Sequence, residues 1–270
     1  MAEPLLKVRD LRVTYPGHPP VEAVRGVSFD LYPGEVLGLV GESGCGKSTV
    51  ARAVSGLLKP SDGVLEFAGA AIKPLTMSRR PIGHTGVQMV FQDPTSSLNP
   101  RRRVGRQVAD GLATAARGHA VRAGLRPRRP ALSAAQWLER VGLEAADTTR
   151  YPRSFSGGQR QRIAIARALA AEPSLLIADE PISSLDASTQ ARVAGIMCQL
   201  AAEEAVALLF ISHDLSIVRL ITDRLLVMVA GEIVEEGPTD QIWSDPRHPY
   251  TRQLLASIPK PDGLGILPAG

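Results

Sequence analysis

A glycine-rich segment between an apolar run and a helical pattern carries the clearest chemical signal in this sequence. Residues 41–49 read GESGCGKST and directly follow the apolar stretch 36–40. Glycines let the backbone curl so that successive N–H groups point at phosphate oxygens, and the following helix start adds partial positive charge. In this pattern Lys47 reaches the β- and γ-phosphates and Ser48 ligates magnesium. The segment predicts a nucleotide site built from Gly41, Ser43, Gly44, Cys45, Gly46, Lys47, Ser48 and Thr49.

A pair of carboxylates ends a second apolar run. Residues 175–178 are all apolar, and Asp179 and Glu180 follow them. Because the carboxyl ends of parallel strands share one edge of a sheet, we expect this pair beside the phosphate-binding loop. There Asp179 can hold magnesium through water, and Glu180 can act on a water molecule near the γ-phosphate. The pair alone is a weak signal, but combined with the loop it indicates nucleotide hydrolysis.

A second helix start offers another anion site. Ser156, Gly157, Gly158 and Gln159 form a small-residue loop before an amphipathic helical pattern over 160–169. Unpaired N–H groups at such a start can bind phosphate oxygens, although most loops of this composition are ordinary helix caps. One chain therefore carries two candidate phosphate-binding helix ends.

The order of these elements resembles that of the ATP-binding-cassette (ABC) ATPases, and the resemblance covers nearly the whole chain. It implies that 156–159 is the family's signature loop, that Tyr15 stacks on adenine and that Gln92 is the lid glutamine. It also implies that Asp186 lies in the loop after the catalytic glutamate and that His213 is the switch histidine. The catalytic residues implied are Lys47, Gln92, Glu180 and His213, and the ligands implied for Mg²⁺ beside ATP are Ser48, Gln92 and Asp179.

The resemblance further implies that a single chain cannot complete the reaction. In the family two cassettes pack head to tail, so ATP held by Lys47, Ser48 and Gln92 of one is covered by the Ser156 and Gly158 region of the other. The second helix start then contacts the γ-phosphate only when ATP is present. We therefore expect ATP to close the dimer and hydrolysis to release it.

Hydrophobic periodicity predicts the architecture around these motifs. Strand-like runs at 36–40, 88–91, 175–178, 207–211 and 225–229 alternate with helical patterns, which predicts an α/β fold with a mainly parallel sheet. The resemblance implies that this is the P-loop NTPase core of an ABC ATPase. Short strand patterns at 5–8, 11–14, 27–31 and 63–69 predict an antiparallel β layer, and helical patterns over 104–116 and 134–141 predict an inserted helical subdomain. We place the catalytic core at 1–94 and 157–240, the helical subdomain with the signature loop at its end at 95–156, and a C-terminal tail with two short helices at 241–270.

Composition restricts the class of protein. The chain has 270 residues, of which 44% are hydrophobic and 21% charged, as in an ordinary globular protein. Its two cysteines supply neither a disulfide framework nor a four-cysteine metal site and fit a reducing cytosol. We find no signal-peptide pattern and no run approaching the ~18 apolar residues of a membrane span. If the protein works at a membrane, other subunits are expected to cross it.

A nucleic-acid partner is the alternative suggested by charge. The net charge is +4, and arginines cluster at 101–103 and 122–129. Aromatic residues make up only 4% of the chain and are scattered, so no stacking platform accompanies the basic runs. We favour a solvated or lipid-facing basic surface with no nucleic acid bound, and the role of 122–130 stays open.

Two stretches indicate a branch of the family. Residues 87–101 and 248–259 look like those of ATPases from bacterial dipeptide, oligopeptide and nickel importers. That resemblance implies a peripheral subunit at the cytoplasmic face of the bacterial inner membrane. Its implied partners are two transmembrane permease subunits, a second identical or different ATPase subunit and, indirectly, an extracytoplasmic substrate-binding protein. Some of these ATPases carry a cysteine cluster in the tail, but no cysteine follows Cys198, so we expect no iron–sulfur centre.

The cargo of the importer and two other classes of protein are the alternatives at this point. The sequence does not separate peptides from nickel, because permeases and binding proteins select the cargo. A soluble ABC ATPase acting on nucleic acid or ribosomes is the second class, yet coiled-coil arms, zinc modules and a tandem cassette are all missing from the sequence. A P-loop kinase for a small molecule would give no reason for the signature loop or His213.

Overall fold

The structure, a computed structural model, describes residues 3–75, 86–122 and 132–258. Its strands are β1 (Leu6–Tyr15), β2 (Val21–Leu31), β3 (Val36–Val40), β4 (Asp62–Phe67), β5 (Ala70–Ala71), β6 (Val87–Val90), β7 (Leu175–Asp179), β8 (Ala207–Ile211), β9 (Arg224–Val229) and β10 (Glu232–Pro238). Its helices are α1 (Lys47–Val54), α2 (Pro94–Ser97), α3 (Val104–Arg122), α4 (Ala134–Arg140), α5 (Gly157–Leu169), α6 (Ala187–Glu203), α7 (Leu215–Ile221), α8 (Thr239–Ser244) and α9 (Pro249–Ala256). The arginine-rich stretch after Arg122 and the end of the tail lie outside the described residues.

A six-stranded sheet in the order β10-β9-β3-β8-β7-β6 forms the centre of the molecule. All neighbours from β9 to β6 pair in parallel, and only β10 is antiparallel. Every residue of β7 and β8 is buried, which explains why both read as continuous apolar runs. The sheet is mainly parallel, as the sequence predicts.

Alternate residues of the central strands enter two different cores. The core on the helical side, here the helix-side core, receives Leu176, Ala178, Leu208 and Phe210. The core on the other side, here the strand-side core, receives Leu175, Ile177, Leu209 and Ile211. This alternation follows from the two-residue repeat of a strand and fixes which face each residue occupies.

The predicted antiparallel layer is a four-stranded sheet in the order β2-β1-β4-β5. Apolar residues of β1 and β2, including Leu6, Leu11 and Leu31, are fully buried in the strand-side core. Helix α1 contributes Val50 and Val54 to the same core. Burial on this side therefore fixes the helix that begins at the phosphate-binding loop.

Helices α2, α3 and α4 lie in the chain between β6 and β7 and pack on α5. Val108 and Leu138 meet Ile163 in the helix-side core, where all three are fully buried. Arg140 of α4 also donates to Glu203 at 2.6 Å and to Glu204 at 2.5 Å, at the end of α6. The chain thus has the inserted helical layer that the sequence predicts, while its boundaries at 95 and 156 stay a prediction.

Two elements differ from the expectation. The sequence predicts two strands within residues 5–14, but β1 is one strand with a bulge at Asp10, whose φ is +46° and whose N–H donates to Ser28 Oγ at 2.8 Å. A bulge interrupts the alternation without ending the pairing. The predicted strand 88–91 ends at Val90, because the carbonyl of Phe91 turns to accept a bond from Gln161 Nε2.

None of the helices in the described ranges combines the length and the hydropathy that a membrane span requires.

Two helical glycines provide a matched test of packing. A Cβ on Gly111 of α3 would lie 2.4 Å from the carbonyl oxygen of Arg167 in α5, whereas a Cβ on Gly195 of α6 would meet nothing within 4 Å. We expect Gly111→Ala to lower the free energy of unfolding by about 1–3 kcal/mol, since the helices must separate. Gly195→Ala should raise it by roughly 0.5–1 kcal/mol through helix propensity. Urea denaturation checks both, and equal effects would contradict the close crossing.

Candidate active site

The phosphate-binding loop joins the end of β3 to the start of α1. Gly41 has φ +152° and Gly46 has φ +111°, both in the region that favours glycine. A Cβ on Gly41 would lie 2.1 Å from Met228 O, and one on Gly46 would lie 2.3 Å from Ala23 O. Any larger residue would push the loop away from β9 and β2, so these positions require glycine.

Lys47 lies inside the loop and is only 4% exposed. Its Nζ donates to Gly41 O at 2.7 Å and to Glu42 O at 2.8 Å. Cys45 is buried beside it, with Sγ 3.8 Å from Nζ. The ammonium group is thus already held within the curve of the loop by Gly41 O, and its remaining donors can turn to a phosphate group.

A hydroxyl and a carboxylate meet beside the loop. Ser48 Oγ donates to Asp179 Oδ1 at 2.8 Å, which joins the start of α1 to the end of β7. Asp179 is 6% exposed, and its burial raises the pKa of its carboxyl despite the opposing effect of the Ser48 bond. These hard oxygen donors fit Mg²⁺, which binds through one or two carboxylates together with nucleotide phosphates and water. The described residues contain no cluster of three or more His, Cys, Asp or Glu side chains that could hold a metal by themselves.

Glu180 and His213 form a second pair at the same edge. Because Asp179 of β7 pairs with Ile211 of β8, the residues that follow these strands lie side by side. Glu180 Oε2 is 3.2 Å from His213 Nδ1, and the Glu180 N–H donates to Ile211 O at 2.9 Å. Glu180 has φ +46°, an uncommon conformation for a residue with a side chain. Glutamate and histidine are thus aligned where a water molecule could be deprotonated.

The structure places Gln92 and Tyr15 at the margin of this edge. Val90 of β6 pairs with Ala178 of β7, so the exposed Gln92 leaves the sheet at the same level as Glu180. Tyr15 ends β1, and its hydroxyl lies 3.3 Å from Thr49 Oγ1 at the start of α1. Both residues border the loop region, although no described hydrogen bond joins Gln92 to Ser48 or Asp179.

The predicted signature loop is a capped helix start. Ser156 Oγ accepts from Gln159 N at 3.3 Å, and Gln159 Oε1 accepts from Ser156 N at 2.8 Å. Gly158 packs on α6, since a Cβ there would lie 2.5 Å from Thr189 Cγ2, and a Cβ on Gly157 would lie 3.5 Å from Leu185. Within the described ranges, no hydrogen bond or ion pair joins residues 156–159 to the phosphate-binding loop.

Asp186 caps the neighbouring helix α6. Its Oδ1 accepts from Ser188 Oγ at 2.7 Å and from Thr189 N at 3.0 Å. The Ser188 bond, followed by the bonds from Thr189, lowers the pKa of Asp186 to about 2. The residue is therefore ionised at neutral pH and orders the loop after Glu180.

Gln161 is a candidate site residue that the sequence analysis does not identify. It is 1% exposed, and its Nε2 donates to Phe91 O at 3.3 Å. It thereby joins the signature helix α5 to the residue before Gln92. Its position in the sequence could have identified it, because helical spacing places Gln161 on the face of α5 that also buries Ala164, Ile165 and Ala168.

Two parts of the chain match known protein families. Residues 24–183 match the family described as ABC transporter, and residues 234–266 match the oligopeptide/dipeptide transporter, C-terminal region. The chain belongs to the ABC transporter family. As a cassette of this family it is an ATPase, which confirms the class and the fold expected from the sequence.

Several relatives and structures are similar over most of their length. The oligopeptide transport ATP-binding protein OppF of Bacillus subtilis (strain 168) is 46% identical over 266 residues, covering 97% of this chain and 85% of that protein. The di/tripeptide transport ATP-binding protein DppF of Pseudomonas aeruginosa (strain UCBPP-PA14) is 43% identical, covering 95% and 80%. The solved structure of the ATP-binding cassette MJ0796, a dimer in a post-hydrolysis state bound to ADP and Pi, superposes with a TM-score of 0.69 at 26% identity, covering 87% and 98%.

The substitution of Asp179 tests whether burial of its charged carboxylate lowers the stability of the fold. The raised pKa means that the fold disfavours the charged carboxylate, so at neutral pH an uncharged isostere should be better tolerated. We expect Asp179→Asn to raise the free energy of unfolding without nucleotide by about 1 kcal/mol, or roughly 2–4 °C in Tm. Thermal denaturation of the nucleotide-free chain measures the change. The exposed Asp240→Asn is the control, and a destabilised Asp179→Asn would contradict the expectation.

Proposed function

We propose that this chain is the ATP-hydrolysing subunit of a bacterial importer for short peptides. The observation that carries the proposal is that Lys47, the Ser48–Asp179 pair and the Glu180–His213 pair converge at one edge of the sheet. The substrate class is supported by the match of residues 234–266 and by relatives named for oligopeptides and di/tripeptides. Nickel, which the sequence leaves open, receives no support from those names.

The loop and its neighbours would bind ATP in defined roles. Lys47 has three N–H donors, so it keeps its bond to Gly41 O and turns its other donors to the β- and γ-phosphates, while the amides of residues 43–49 surround the phosphate oxygens. Tyr15, already held beside Thr49, stacks on the adenine. Ser48 and Asp179, with Gln92, would hold Mg²⁺, which neutralises charge on the phosphates during transfer.

Hydrolysis would use the second pair of side chains. Glu180 accepts a proton from the attacking water, whose oxygen bonds to the γ-phosphorus while the bond to the β–γ bridging oxygen breaks. The products are ADP and phosphate. His213, which contacts Glu180 at the same edge, would contact the γ-phosphate. The bond from its N–H to Ile211 O fixes the backbone of Glu180, and the contact with His213 Nδ1 orients its carboxylate toward the same edge.

A second ATPase subunit would complete each site. The helix start at Ser156, with Gly157, Gly158 and Gln159, has no described hydrogen bond or ion pair to its own loop and would cover ATP held by a partner cassette. Asp186, which is exposed and ionised, would border the same interface. This arrangement is supported by the dimeric form of the similar cassette MJ0796. We propose a head-to-tail dimer, with either an identical or a different second subunit.

Location and other partners follow from this role. We propose that the chain acts peripherally at the cytoplasmic face of the inner membrane and drives two transmembrane permease subunits. A substrate-binding protein outside the cytoplasm delivers the peptide, and no nucleic acid takes part. The stretch 87–101, which leads into the helical subdomain 95–156, is the proposed contact with the permeases, with 1–94 and 157–240 as the catalytic core and 241–270 as the tail.

Purification from native membranes tests this assignment. The tagged chain, recovered from detergent-solubilised membranes, should bring two multi-span permeases, and the complex should hydrolyse ATP faster when its binding protein and short peptides are added. Stimulation by nickel but not by peptides would replace the proposed cargo. Recovery only in the soluble fraction, with DNA, RNA or ribosomes, would overturn the importer assignment.

Glu180→Gln tests the proposed chemistry. The amide keeps the shape of the side chain but cannot accept the proton, so we expect ATP binding to persist while turnover falls by roughly 10²-fold or more. An ATP-closed dimer should then accumulate in size-exclusion chromatography. Glu139→Gln, an exposed change in α4, is the matched control. Near-normal turnover in Glu180→Gln would exclude the proposed role.

A further inference from the structure

The C-terminal helix α9 contacts the phosphate-binding loop. Tyr250 lies in the first turn of α9, and its hydroxyl accepts a hydrogen bond from Glu42 N at 3.1 Å. The sequence positions are far apart, and only the folded tail brings them together. Glu42 is the second residue of the loop, so the contact is with the backbone that surrounds Lys47.

One peptide group of the loop makes hydrogen bonds through both its N–H and its carbonyl oxygen. The Gly41–Glu42 peptide donates its N–H to Tyr250 and accepts at its carbonyl oxygen, Gly41 O, the 2.7 Å bond from Lys47 Nζ. Hydrogen bonds in such a chain polarise and align each other. Because Gly41 has φ +152° and no side chain, this peptide has few local restraints of its own. The hydroxyl of Tyr250 therefore fixes the direction of the carbonyl that holds Lys47.

The tail has its own anchor, separate from the loop. Glu235 of β10 accepts from the N–H groups of Arg247 at 2.8 Å and His248 at 3.0 Å. His248 Nδ1 in turn accepts from Tyr250 N at 3.2 Å and caps α9. The tail thus enters α9 at a fixed place, and the Tyr250 ring packs with Leu254 against the helix-side core.

Ionisation of Tyr250 does not interfere with this contact. Burial raises the pKa of its hydroxyl, so the group stays neutral at physiological pH. For Glu235, the hydrogen bonds from its partners outweigh the effect of burial and lower the pKa, so it stays charged. The two groups that fix the tail thus keep their hydrogen-bonding states across the neutral range.

We infer that Tyr250 is a positioning residue for Lys47, and that docking of the tail raises the affinity of the loop for nucleotide phosphates. The inference rests on the proposed function, since it assigns a role in ATP binding. It gives the tail a part in the nucleotide site of the same chain, beyond a packing role. If the tail served for packing alone, the ring of Tyr250 would be needed but its hydroxyl would not.

Tyr250→Phe separates these two roles because it removes only the hydroxyl. We expect the dissociation constant for MgADP, measured by calorimetry, to rise about fivefold, which corresponds to about 1 kcal/mol. In the purified transporter the KM for ATP should rise by a similar factor, with a smaller fall in kcat. Tyr32→Phe, at a 37% exposed tyrosine directly after β2, is the matched control and should match the unmodified chain.

Hydrogen exchange provides a direct readout that needs no nucleotide. The Glu42 amide should exchange faster in Tyr250→Phe than in the unmodified chain, while amides of β7 and β8 stay protected. Glu235→Ala, which releases the anchor of the tail, should weaken MgADP binding in the same direction.

Two results would overturn the inference. One is an unchanged MgADP affinity in Tyr250→Phe, whether or not Glu42 exchange changes. The other is a loss of affinity in Glu235→Ala alone, which would show that the tail acts by packing. If the unmodified chain bound no ATP, the proposed function would fail, and faster Glu42 exchange would still demonstrate the contact.

Discussion

The parallel pairing of β3, β8 and β7 is the constraint on which the site depends. Leu39 pairs with Ile211, and Ile211 pairs with Asp179, so three chain segments leave the sheet at one level. The phosphate-binding loop, the segment that carries His213 and the segment that carries Glu180 begin within two residues of that level. Because both faces of these strands are buried, a shift of one residue would exchange the two cores and is strongly disfavoured. The hydrophobic cores therefore fix the spacing of the polar groups.

The polar groups at this edge are held in a state that favours ligand binding over stability. Asp179 is buried with a pKa raised by that burial, Glu180 has a positive φ, and Lys47 is bound only to carbonyl oxygens and the Cys45 sulfur among its described contacts. Each feature costs free energy in the absence of nucleotide, and the surrounding core must supply it. In return, the groups need little reorganisation when phosphates arrive. The packing of the core keeps these polar groups in position for nucleotide, and the same polar groups reduce the stability of the fold.

Local patterns made most of the site predictable, and tertiary contacts account for what was missed. The loop at 41–49, the Asp179–Glu180 pair and the small-residue loop at 156–159 each have a short sequence signature, because backbone curvature and helix capping depend on neighbouring residues. Gln161 has no such signature, since its partner Phe91 O is fixed only when α5 packs on the end of β6. The bulge at Asp10 was missed for a similar reason, because its bond to Ser28 Oγ comes from the neighbouring strand.

Tyr250 shows how a contact invisible in the sequence can connect two parts of a chain. The region matching peptide transporters, residues 234–266, contains both Glu235 and Tyr250, and the phosphate-binding loop lies outside it. The coupling inferred from the peptide group shared by Tyr250 and Lys47 is reciprocal, so displacement of the tail and occupation of the loop would influence each other with equal free energy. A partner that moved α9 would thereby weaken phosphate binding, and bound phosphate would oppose that movement. The tail and the nucleotide site thus form one thermodynamic unit, although the chain separates them.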